Sequence, residues 1–382
     1  MSNVAVLGST GSIGRSTLEV IQASAGRFRA VALSGHSNWP LLAEQAAKFG
    51  PQFVVGAGPE PDPAILASLP PGTDVRLGSA ALTEIVRRPE IDIVVAAIVG
   101  SCGLESTWAA LEAGKRVALA NKETLVMGGP LVMRLARSHG GSLLPVDSEH
   151  SAVFQALQTG GHGEVRRVIL TASGGPFRGY SAEQLAAVTV DEALRHPTWR
   201  MGRKITVDSA TLMNKALEII EARWLFGLSP EQIDVAIHPQ SVVHSLVEFV
   251  DGSVIAQMSP PDMRLPIQYA LTYPERTAGP ARRLDWSQAF DLEFGPPDRE
   301  RFPAIDLGLE VAGAGGTAGA VLNAANEAAV AGFLAEELPF TEIVSACRSV
   351  LEHHDFDPSP SLSDLLRLDR WAREEVARWI CT

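Results

Sequence analysis

The 382-residue sequence has only three cysteines, Cys102, Cys347 and Cys381, and they are scattered without the spacing of metal ligands. So sparse and odd a set excludes a disulfide framework and favours a reducing compartment. Positive charge is also scarce, because the formal net charge is -12 at pH 7. That balance argues against a surface built for nucleic acid or anionic lipid, so any site for a phosphorylated small molecule must be compact.

Long apolar runs are missing as well. No stretch reaches the length of a membrane span, and the first residues lack the basic segment of a signal peptide. We therefore expect a cytoplasmic protein with no membrane and no nucleic-acid partner. With 46% apolar residues the chain can fill a sizeable interior, and its length predicts two or three domains.

A strand, a glycine-rich turn and a helix are predicted at the N-terminus. The apolar run 3–7 is followed by the segment 8–14, GSTGSIG, and then by the amphipathic segment 15–22. Glycines there let the backbone approach a pyrophosphate, and the N–H groups at the start of the helix can bind it. The spacing is G-x-x-G-x-x-G instead of the usual G-x-G-x-x-G, which leaves an ordinary turn as the alternative.

The second predicted strand, 28–33, leads into the polar segment 34–38. An NAD-binding fold normally places an acid here to hold the ribose 2′-hydroxyl, and this segment has none. His36, Ser37 and Asn38 can instead donate hydrogen bonds to a 2′-phosphate. NADPH is therefore favoured over NADH, and an ordinary polar loop is the alternative.

The alternation of apolar runs and helical segments predicts an α/β protein whose N-terminal part is a Rossmann-like, doubly wound parallel sheet. Further strands are expected at 53–55, 93–99, 116–119 and 141–146, and helices at 41–49 and 105–112. Ligands of such sheets lie beyond the carboxyl ends of the strands. The polar clusters 120–123 and 147–149 are both expected at that edge.

The second of these clusters concentrates acid directly after an apolar run. If the backbone stays extended through it, Asp147 and Glu149 point the same way and suit a hard cation such as Mg2+ or Mn2+. The alternative is that Asp147 or Ser148 caps a helix that begins near residue 151.

Small residues and a hydroxyl follow the strand predicted at 168–170, which favours an anion site at 173–177. The polar segment 178–204 is expected to be a loop. Long loops with large apolar side chains, here near Trp199, are typical of lids. The alternative places Trp199 in the core.

The strongest predicted helix covers 208–226 and carries its polar residues on one narrow stripe. The stripe consists of Thr211, Asn214, Lys215, Glu218 and Glu221. Because most of the remaining surface is apolar, the helix should be buried and the stripe should line a cavity. The alternative is a solvated stripe whose Lys215–Glu218 pair contributes about a few tenths of a kcal/mol.

The rest of the chain predicts a second, mixed sheet and a helical end. An Asp-Gly turn at 251–252 joins alternating strands at 244–250 and 253–258, and the exposed edge of this hairpin would suit a dimer contact. Prolines and glycines cluster after residue 273, which indicates an extended linker. Helical periodicity at 319–334, 340–353 and 363–380 indicates a C-terminal helical bundle.

Several motifs, in the same order, resemble those of the 1-deoxy-D-xylulose 5-phosphate reductoisomerase family and cover essentially the whole chain. They are the segments 8–14, 120–123, 145–150, 173–177, 196–197, 201–204, 214–218, 238–241 and 322–327. The resemblance implies a V-shaped homodimer. Its protomer would have an NADPH-binding Rossmann-like domain (1–147), an α+β catalytic domain with the metal, substrate, lid and dimer contacts (148–272), a linker (273–298) and a C-terminal helical domain (299–382).

The resemblance also implies the site residues. Asp147, Glu149 and Glu218 would hold Mg2+, Mn2+ or Co2+. The substrate would be bound by Lys122, Ser148, Glu149, Ser173, His196, Trp199, Ser209, Asn214, Lys215 and Glu218, of which Ser173, Ser209, Asn214 and Lys215 would take its phosphate. NADPH would be bound by Gly8, Thr10, Gly11, Ser12, Ile13, Gly35, His36, Ser37, Asn38, Asn121, Glu123, Met201, Gly202 and Met263. The catalytic set would be Lys122, Asp147, Glu149, His196 and Glu218.

The implied reaction rearranges and reduces a small phosphorylated sugar. Retroaldol and aldol steps would isomerise 1-deoxy-D-xylulose 5-phosphate, and NADPH would reduce the product to 2-C-methyl-D-erythritol 4-phosphate in the non-mevalonate isoprenoid pathway. The His36-Ser37 pair departs from members with a glycine-lysine pair. One alternative is an NADP-dependent dehydrogenase of a small oxo acid or semialdehyde, which would not need Glu218 with Asp147 and Glu149. Another is a cofactor sensor that binds NADPH without consuming it.

Overall fold

The computed structural model describes residues 1–199 and 201–381, so Arg200, beside the lid candidate Trp199, lies outside the described residues. The chain divides into two compact units. The first comprises Met1–Thr124, Val132–Ser151 and Asp262–Arg282, and the second comprises Leu125–Leu131, Ala152–Pro261 and Arg283–Thr382. The division of the chain by role, with boundaries at residues 147, 272 and 298, stays a prediction.

The strands of the described residues are β1 Ser2–Leu7, β2 Phe28–Gly35, β3 Phe53–Gly56, β4 Asp74–Leu77, β5 Ile93–Ala96, β6 Arg116–Leu119, β7 Ser142–Pro145, β8 Val165–Ala172, β9 Ile233–Ile237, β10 Val243–Phe249 and β11 Val254–Met258. The helices are α1 Ser12–Ala23, α2 Trp39–Phe49, α3 Pro63–Ala67, α4 Ser79–Val86, α5 Leu104–Glu112, α6 Glu123–Ser138, α7 Ser148–Ala156, α8 Ala182–Ala186, α9 Val190–Ala193, α10 Arg203–Ala210, α11 Met213–Phe226, α12 Arg264–Thr272, α13 Ala304–Ala314, α14 Ala318–Leu334, α15 Glu342–His353 and α16 Leu362–Ile380. None of these helices combines the length and the hydropathy needed to cross a bilayer.

The first unit contains a parallel sheet with the strand order β4-β3-β2-β1-β5-β6-β7. The chain moves outward on one side of β1 and then, from β5, on the other side, which makes the sheet doubly wound. Val6 and Val95, on its two central strands, are fully buried, as expected when helices cover both faces of a parallel sheet. The switch point between β1 and β5 is where such sheets open a ligand crevice.

The second unit contains a mixed sheet with the order β11-β10-β8-β9. Strand β8 is parallel to β9 and antiparallel to β10, and β10 pairs with β11 in the predicted hairpin. Helix α14 packs on α15 and α16, and in the core the ring of Phe340 contacts the rings of Phe177 and Phe333 at centroid distances of 5.2 and 5.8 Å. The predicted fold class is confirmed: a Rossmann-like sheet, an α+β part and a helical bundle.

Helix α6 is divided between the two units. Its residues Leu125–Leu131 belong to the second unit, and the helix is kinked at Gly128, whose φ of -129° and ψ of 24° are not helical. Gly319 of α14 lies against the backbone carbonyl of Val126, where any Cβ would overlap. The middle of α6 is therefore held by the second unit.

Two helices replace the single helix predicted at 208–226. Helix α10 ends before and α11 begins after Leu212, whose φ of 59° is left-handed. Leucine seldom adopts this conformation by itself, so the surrounding packing imposes the break. Thr211 lies within the break, where its Oγ1 accepts the Met213 N–H at 3.2 Å. The polar stripe on α11 therefore begins at Asn214.

Several shorter elements also differ from the prediction. The loop expected at 178–204 contains α8 and α9, and each begins with a capping box, Ser181 with Gln184 and Thr189 with Glu192. Strand β5 ends at Ala96, earlier than expected. Strands β4 and β9 and helices α3, α4, α6, α12 and α13 have no counterpart in the prediction.

Candidate active site

The glycine-rich turn connects β1 to α1 at the switch point of the first sheet. Gly8 has a φ of 78°, and a Cβ on it would lie 2.6 Å from the Ala97 carbonyl oxygen, so only glycine fits. Gly14 packs on the backbone of Gly8 and Ser9, where a side chain would overlap. Helix α1 begins after Gly11 without an acidic residue in its first turn, so its first N–H groups and the positive end of its dipole suit a pyrophosphate. Thr10 lies in the turn, and Ser12 and Ile13 are the first two residues of α1.

The predicted 2′-phosphate loop, residues 36–38, lies beside this turn. A Cβ on Gly35 would lie 3.3 Å from Thr10 Cγ2, so the end of β2 packs on the turn. All three loop residues are exposed. Asn38 Oδ1 accepts the Leu41 N–H at 3.2 Å and caps α2, so the amide N–H groups of Asn38 remain as donors.

Asn121 organises the neighbouring loop after β5. Its Nδ2 donates to the carbonyl oxygens of Ile98 and Gly100 at 2.6 and 2.9 Å and to Glu123 Oε2 at 2.9 Å. Its Oδ1 accepts from the N–H and the hydroxyl of Thr124 at 2.9 and 2.5 Å. Both ends of this buried amide are thus engaged within the protein, and a contact from its side chain to a cofactor would have to share one of these bonds.

The backbone after β7 turns into a helix, so the expectation that it stays extended through Glu149 is wrong. Helix α7 begins at Ser148. The carbonyl oxygen of Asp147 accepts the Ser151 N–H at 2.8 Å, and Asp147 Oδ1 accepts the Ser148 N–H at 3.0 Å. Asp147 therefore caps a helix that begins earlier than the capping alternative supposed. Glu149 lies in the first turn, where the helix dipole stabilises a carboxylate.

Charged and polar side chains converge on Asp147 within the first unit. Lys122 forms an ion pair with Asp147, and His150 Nδ1 lies 3.8 Å from Asp147 Oδ2. Ser148 Oγ donates to Glu149 Oε2 at 2.6 Å. The first unit thus brings together two carboxylates, a hydroxyl and an ammonium just beyond the ends of β6 and β7, the edge at which the sequence predicts the clusters 120–123 and 147–149.

Helix α11 carries a buried ion pair in the second unit. Lys215 and Glu218 are paired one turn apart, and their side chains are 3% and 0% exposed. The prediction of a buried helix is confirmed, and the solvated alternative is wrong. Asn214 Nδ2 donates to Glu218 Oε1 at 2.6 Å. Asn214 Oδ1 is buried without a hydrogen-bond partner in residues 1–199 and 201–381, which leaves an oxygen acceptor unused.

The hydroxyls of Ser173 and Ser209 flank one nitrogen of His196. Nε2 of the imidazole lies 3.2 Å from Ser173 Oγ and 3.1 Å from Ser209 Oγ. Nδ1 accepts the backbone N–H groups of Thr198 and Trp199 at 3.1 and 3.0 Å, so the neutral ring must carry its proton on Nε2. Burial lowers the pKa of His196 and favours this neutral form. The cluster offers O–H and N–H donors to an anion.

Two glycines bring the end of β8 against the last turn of α10. Gly174 and Gly175 have φ angles of 85° and 67°, and the Gly175 N–H donates to Ser173 Oγ at 3.2 Å. A Cβ on Gly175 would lie 2.7 Å from the Ser209 carbonyl oxygen, so this approach requires glycine. Trp199 is half-buried, and it is therefore not the core residue of the alternative.

Asp208 and Asn326 form a buried polar pair that the sequence reasoning did not identify. Asn326 Nδ2 donates to Asp208 Oδ1 at 2.9 Å, and Lys204 Nζ lies 2.8 Å from Asp208 Oδ2. Because Ser209 directly follows Asp208, the pair anchors this serine's turn of α10 to α14. The available signal is an asparagine on a helix that is otherwise rich in alanine.

The remaining predicted residues are distributed over both units. Met263, just before α12, belongs to the first unit, whereas Met201 and Gly202, just before α10, belong to the second. Of the three predicted metal ligands, Asp147 and Glu149 belong to the first unit and Glu218 to the second.

Family models cover most of the chain. The model described as 1-deoxy-D-xylulose 5-phosphate reductoisomerase matches residues 4–129, and that of the reductoisomerase's C-terminal domain matches residues 143–226. A further model, described as the DXP reductoisomerase C-terminal domain, matches residues 258–375.

Full-length relatives and solved structures agree with these matches. The 1-deoxy-D-xylulose 5-phosphate reductoisomerase of Pelotomaculum thermopropionicum is 55% identical over 98% of this chain and 97% of its own, and that of Gloeobacter violaceus is 51% identical over 100% and 97%. The Zymomonas mobilis enzyme in complex with NADPH is 43% identical over 99% of both chains, with a TM-score of 0.92. A DOX-P reductoisomerase in complex with NADPH, fosmidomycin and magnesium is 42% identical over 100% of this chain and 98% of its own, with a TM-score of 0.93. Because these similarities span the whole chain, this protein belongs to the 1-deoxy-D-xylulose 5-phosphate reductoisomerase family.

Proposed function

We propose that this protein is an NADP-dependent oxidoreductase that converts 1-deoxy-D-xylulose 5-phosphate into 2-C-methyl-D-erythritol 4-phosphate with NADPH and a divalent cation. The observation that carries the proposal is the likeness to this family along the entire chain. A plain dehydrogenase of an oxo acid is not favoured. It would leave the buried Lys215–Glu218 pair and the Ser173–His196–Ser209 cluster without a role.

Asp147, Glu149 and Glu218 are the residues that would hold the cation. Their carboxylates are hard oxygen donors, which Mg2+, Mn2+ and Co2+ accept. The ammonium partners fit such a site, because Lys122 balances the charge of Asp147 and Lys215 that of Glu218. When bound, a divalent cation would polarise the substrate's carbonyl oxygen as a Lewis acid.

The phosphate of the substrate would bind in the second unit. The hydroxyls of Ser173 and Ser209 and the Nε2–H of His196 supply neutral donors, and Lys215 supplies the charge. Asn214 adds an amide at the start of α11. Such a compact set suits a dianion in a protein whose net charge is -12.

The carbon skeleton of the substrate would lie beside the acidic cluster. Lys122 and the hydroxyl of Ser148 can orient its oxygens, and the hydrogen bond between Ser148 and Glu149 fixes both side chains. His196 and Trp199 form the lid segment, where the two backbone N–H bonds to Nδ1 fix the imidazole. Closure of this segment would exclude water from the reaction.

NADPH would bind at the switch point of the first sheet. Its pyrophosphate would bind at the turn with Gly8, Thr10 and Gly11 and at the first residues of α1, Ser12 and Ile13. Its 2′-phosphate would bind at Gly35, His36, Ser37 and Asn38. Asn121, Glu123, Met201, Gly202 and Met263 would complete the contacts. Bound there, NADPH supplies the hydride for the reduction step.

The proposal extends to the assembly and the location of the protein. The edge strand β11 exposes 50% of Val254 and 37% of Ile255, and an apolar sheet edge suits pairing with a second copy of the chain. We propose a homodimer on this basis.

All three cysteines are free thiols, which fits a cytoplasmic enzyme. The division into NADPH-binding, catalytic, linker and C-terminal segments belongs to the same proposal.

The test is oxidation of NADPH, followed by its absorbance, with 1-deoxy-D-xylulose 5-phosphate and Mn2+. We expect turnover that stops when a chelator removes the metal and that is lost with the unphosphorylated sugar. In the matched control, NADPH oxidation is measured with small oxo acids as substrates and without metal. Metal-independent oxidation of NADPH by an oxo acid would contradict the proposal, as would NADPH binding without any turnover.

A further inference from the structure

Ser9 and Gln45 are joined by two reciprocal hydrogen bonds beneath the glycine-rich turn. Ser9 Oγ lies 2.7 Å from Gln45 Oε1, and Gln45 Nε2 donates to the Ser9 carbonyl oxygen at 2.9 Å. A carbonyl oxygen can only accept, so the amide nitrogen must face it and the amide oxygen must face the hydroxyl. Ser9 and Gln45 are 0% and 6% exposed, so water does not compete for these bonds.

Ser34 of β2 extends this connection to the second strand. Its carbonyl oxygen accepts the Ser9 N–H at 2.8 Å, and its Oγ accepts the Gly8 N–H at 2.9 Å. The turn is therefore bound on one side to β2 and on the other to Gln45 of α2. Every bond in this network lies inside the first unit.

The network links the two places where anionic groups of the cofactor would bind. Helix α2 begins at the 2′-phosphate loop, since Asn38 is its cap, and Gln45 lies about two turns further along the same helix. Ser9 lies within the turn that would hold the pyrophosphate. The 2′-phosphate and the pyrophosphate of NADPH are parts of one molecule, so the two anion sites must keep a fixed spacing.

We infer that Gln45 is a positioning residue for cofactor choice. By binding Ser9 from α2, it fixes the spacing between the glycine-rich turn and the loop 36–38, so that NADPH engages both sites at once. NADH lacks the 2′-phosphate and needs only the turn. Loss of the network should therefore weaken the binding of NADPH much more than the binding of NADH. The inference rests on the proposed use of NADPH, and it adds a residue outside the predicted cofactor contacts.

The experiment compares wild type with Gln45→Leu, Gln45→Glu and Ser9→Ala. Gln45→Leu removes both bonds, and Gln45→Glu keeps an acceptor for the hydroxyl but sets a carboxylate oxygen against the Ser9 carbonyl. Ser9→Ala removes the hydroxyl, which lies 2.7 Å from Gln45 Oε1 and 3.1 Å from the Ser34 carbonyl oxygen, and it keeps the bond from Gln45 Nε2. The matched control is Ala47→Gln, which places a glutamine on the exposed side of the same helix. Dissociation constants for NADPH and NADH are measured by titration of the dihydronicotinamide fluorescence, and kcat/KM is measured for both cofactors.

We expect both Gln45 variants to lower the NADPH-to-NADH preference at least about fivefold. The preference of Ser9→Ala should lie between those of wild type and the Gln45 variants, and Ala47→Gln should keep the preference of wild type. The KM for the sugar phosphate should change less than about twofold. The preference is a ratio, so it is independent of how much of each preparation is folded, and a merely structural role would leave it unchanged. An unchanged ratio in both Gln45 variants overturns the inference, and Gln45→Glu decides alone if Gln45→Leu does not fold. Because binding is measured without turnover, failure of the proposed reaction would be seen separately in the wild type.

Discussion

Lys215 and Glu218 neutralise each other on α11, where their side chains are 3% and 0% exposed. A buried ion pair contributes little more stability than a well-packed apolar pair, but removal of one partner leaves the other charge desolvated. The helix that carries the proposed phosphate and metal ligands is therefore sensitive to a change in either charge.

Replacement of Lys215 by Met should destabilise the metal-free protein by about 3–5 kcal/mol, because the carboxylate of Glu218 loses its ammonium partner. The double variant Lys215→Met/Glu218→Gln should recover much of this loss, since no unbalanced charge remains. Denaturant unfolding of wild type, the two single variants and the double variant, all without metal, measures both effects. Losses that simply add in the double variant would contradict the coupling.

Replacement of Glu218 by Gln tests the cation site directly. The substitution is nearly isosteric but removes one negative charge from the proposed ligand set, so half-maximal activity should need at least about tenfold more Mn2+. Glu337→Gln is the control, because Glu337 is an exposed carboxylate of the same unit. Superimposable Mn2+ titrations for wild type and Glu218→Gln would exclude Glu218 as a ligand.

Acid should destabilise the protein through His196. Because burial lowers its pKa in the folded state, the unfolded chain binds the proton first, and the contribution of His196 to stability is lost as pH falls below about 6.5. The variant His196→Gln lacks this titration. The melting temperature of wild type should therefore fall further than that of the variant when the pH is lowered from 7 to about 5. His353→Gln, at an exposed histidine, serves as the control. A difference that is independent of pH would contradict the argument.

Replacement of Asn326 by Leu should lower stability by about 1–3 kcal/mol, because Asp208 Oδ1 loses its donor in a buried place. The same change at Asn323 is the control. Asn323 donates to Glu327 Oε1 at 3.0 Å, but the side chain of Glu327 is 15% exposed and is paired with Arg373. Chemical denaturation of the two variants is the measurement. An equal or smaller loss at Asn326 would show that the Asp208 contact is unimportant.

The parts of the fold that local signals determine could be predicted from the sequence. Glycines after a β-branched run identify the turn at Gly8 because few other residues tolerate a φ of 78° beside the Ala97 carbonyl. The Asp-Gly dipeptide at 251–252 identifies the hairpin for a similar reason. Lys215 and Glu218 are paired by helical spacing alone, and the apolar residues around them predict their burial.

The parts that tertiary packing determines could not be predicted. Leu212 has no local preference for the left-handed conformation that separates α10 from α11. Glu149 follows an apolar run that resembles a continuing strand, but the cap formed by Asp147 starts a helix. Strand β4 is short, with two of its four residues exposed, so it shows no apolar pattern. The pairing of Asp208 with Asn326 joins residues 118 positions apart. An asparagine on an alanine-rich helix indicates a buried polar contact, but it does not identify a partner so far away in the sequence.

The discontinuity of the first unit has a consequence for the order of synthesis. Domains usually fold one after another as the chain leaves the ribosome, with the N-terminal one first. Here the seven strands of the parallel sheet are complete at Pro145, but the unit also needs Asp262–Arg282, which includes α12. Helix α12 packs on α1, β6 and β7, and the middle of α6 needs the second unit. The parallel sheet, with its proposed cofactor site, therefore stays incompletely covered until most of the protein has been synthesised.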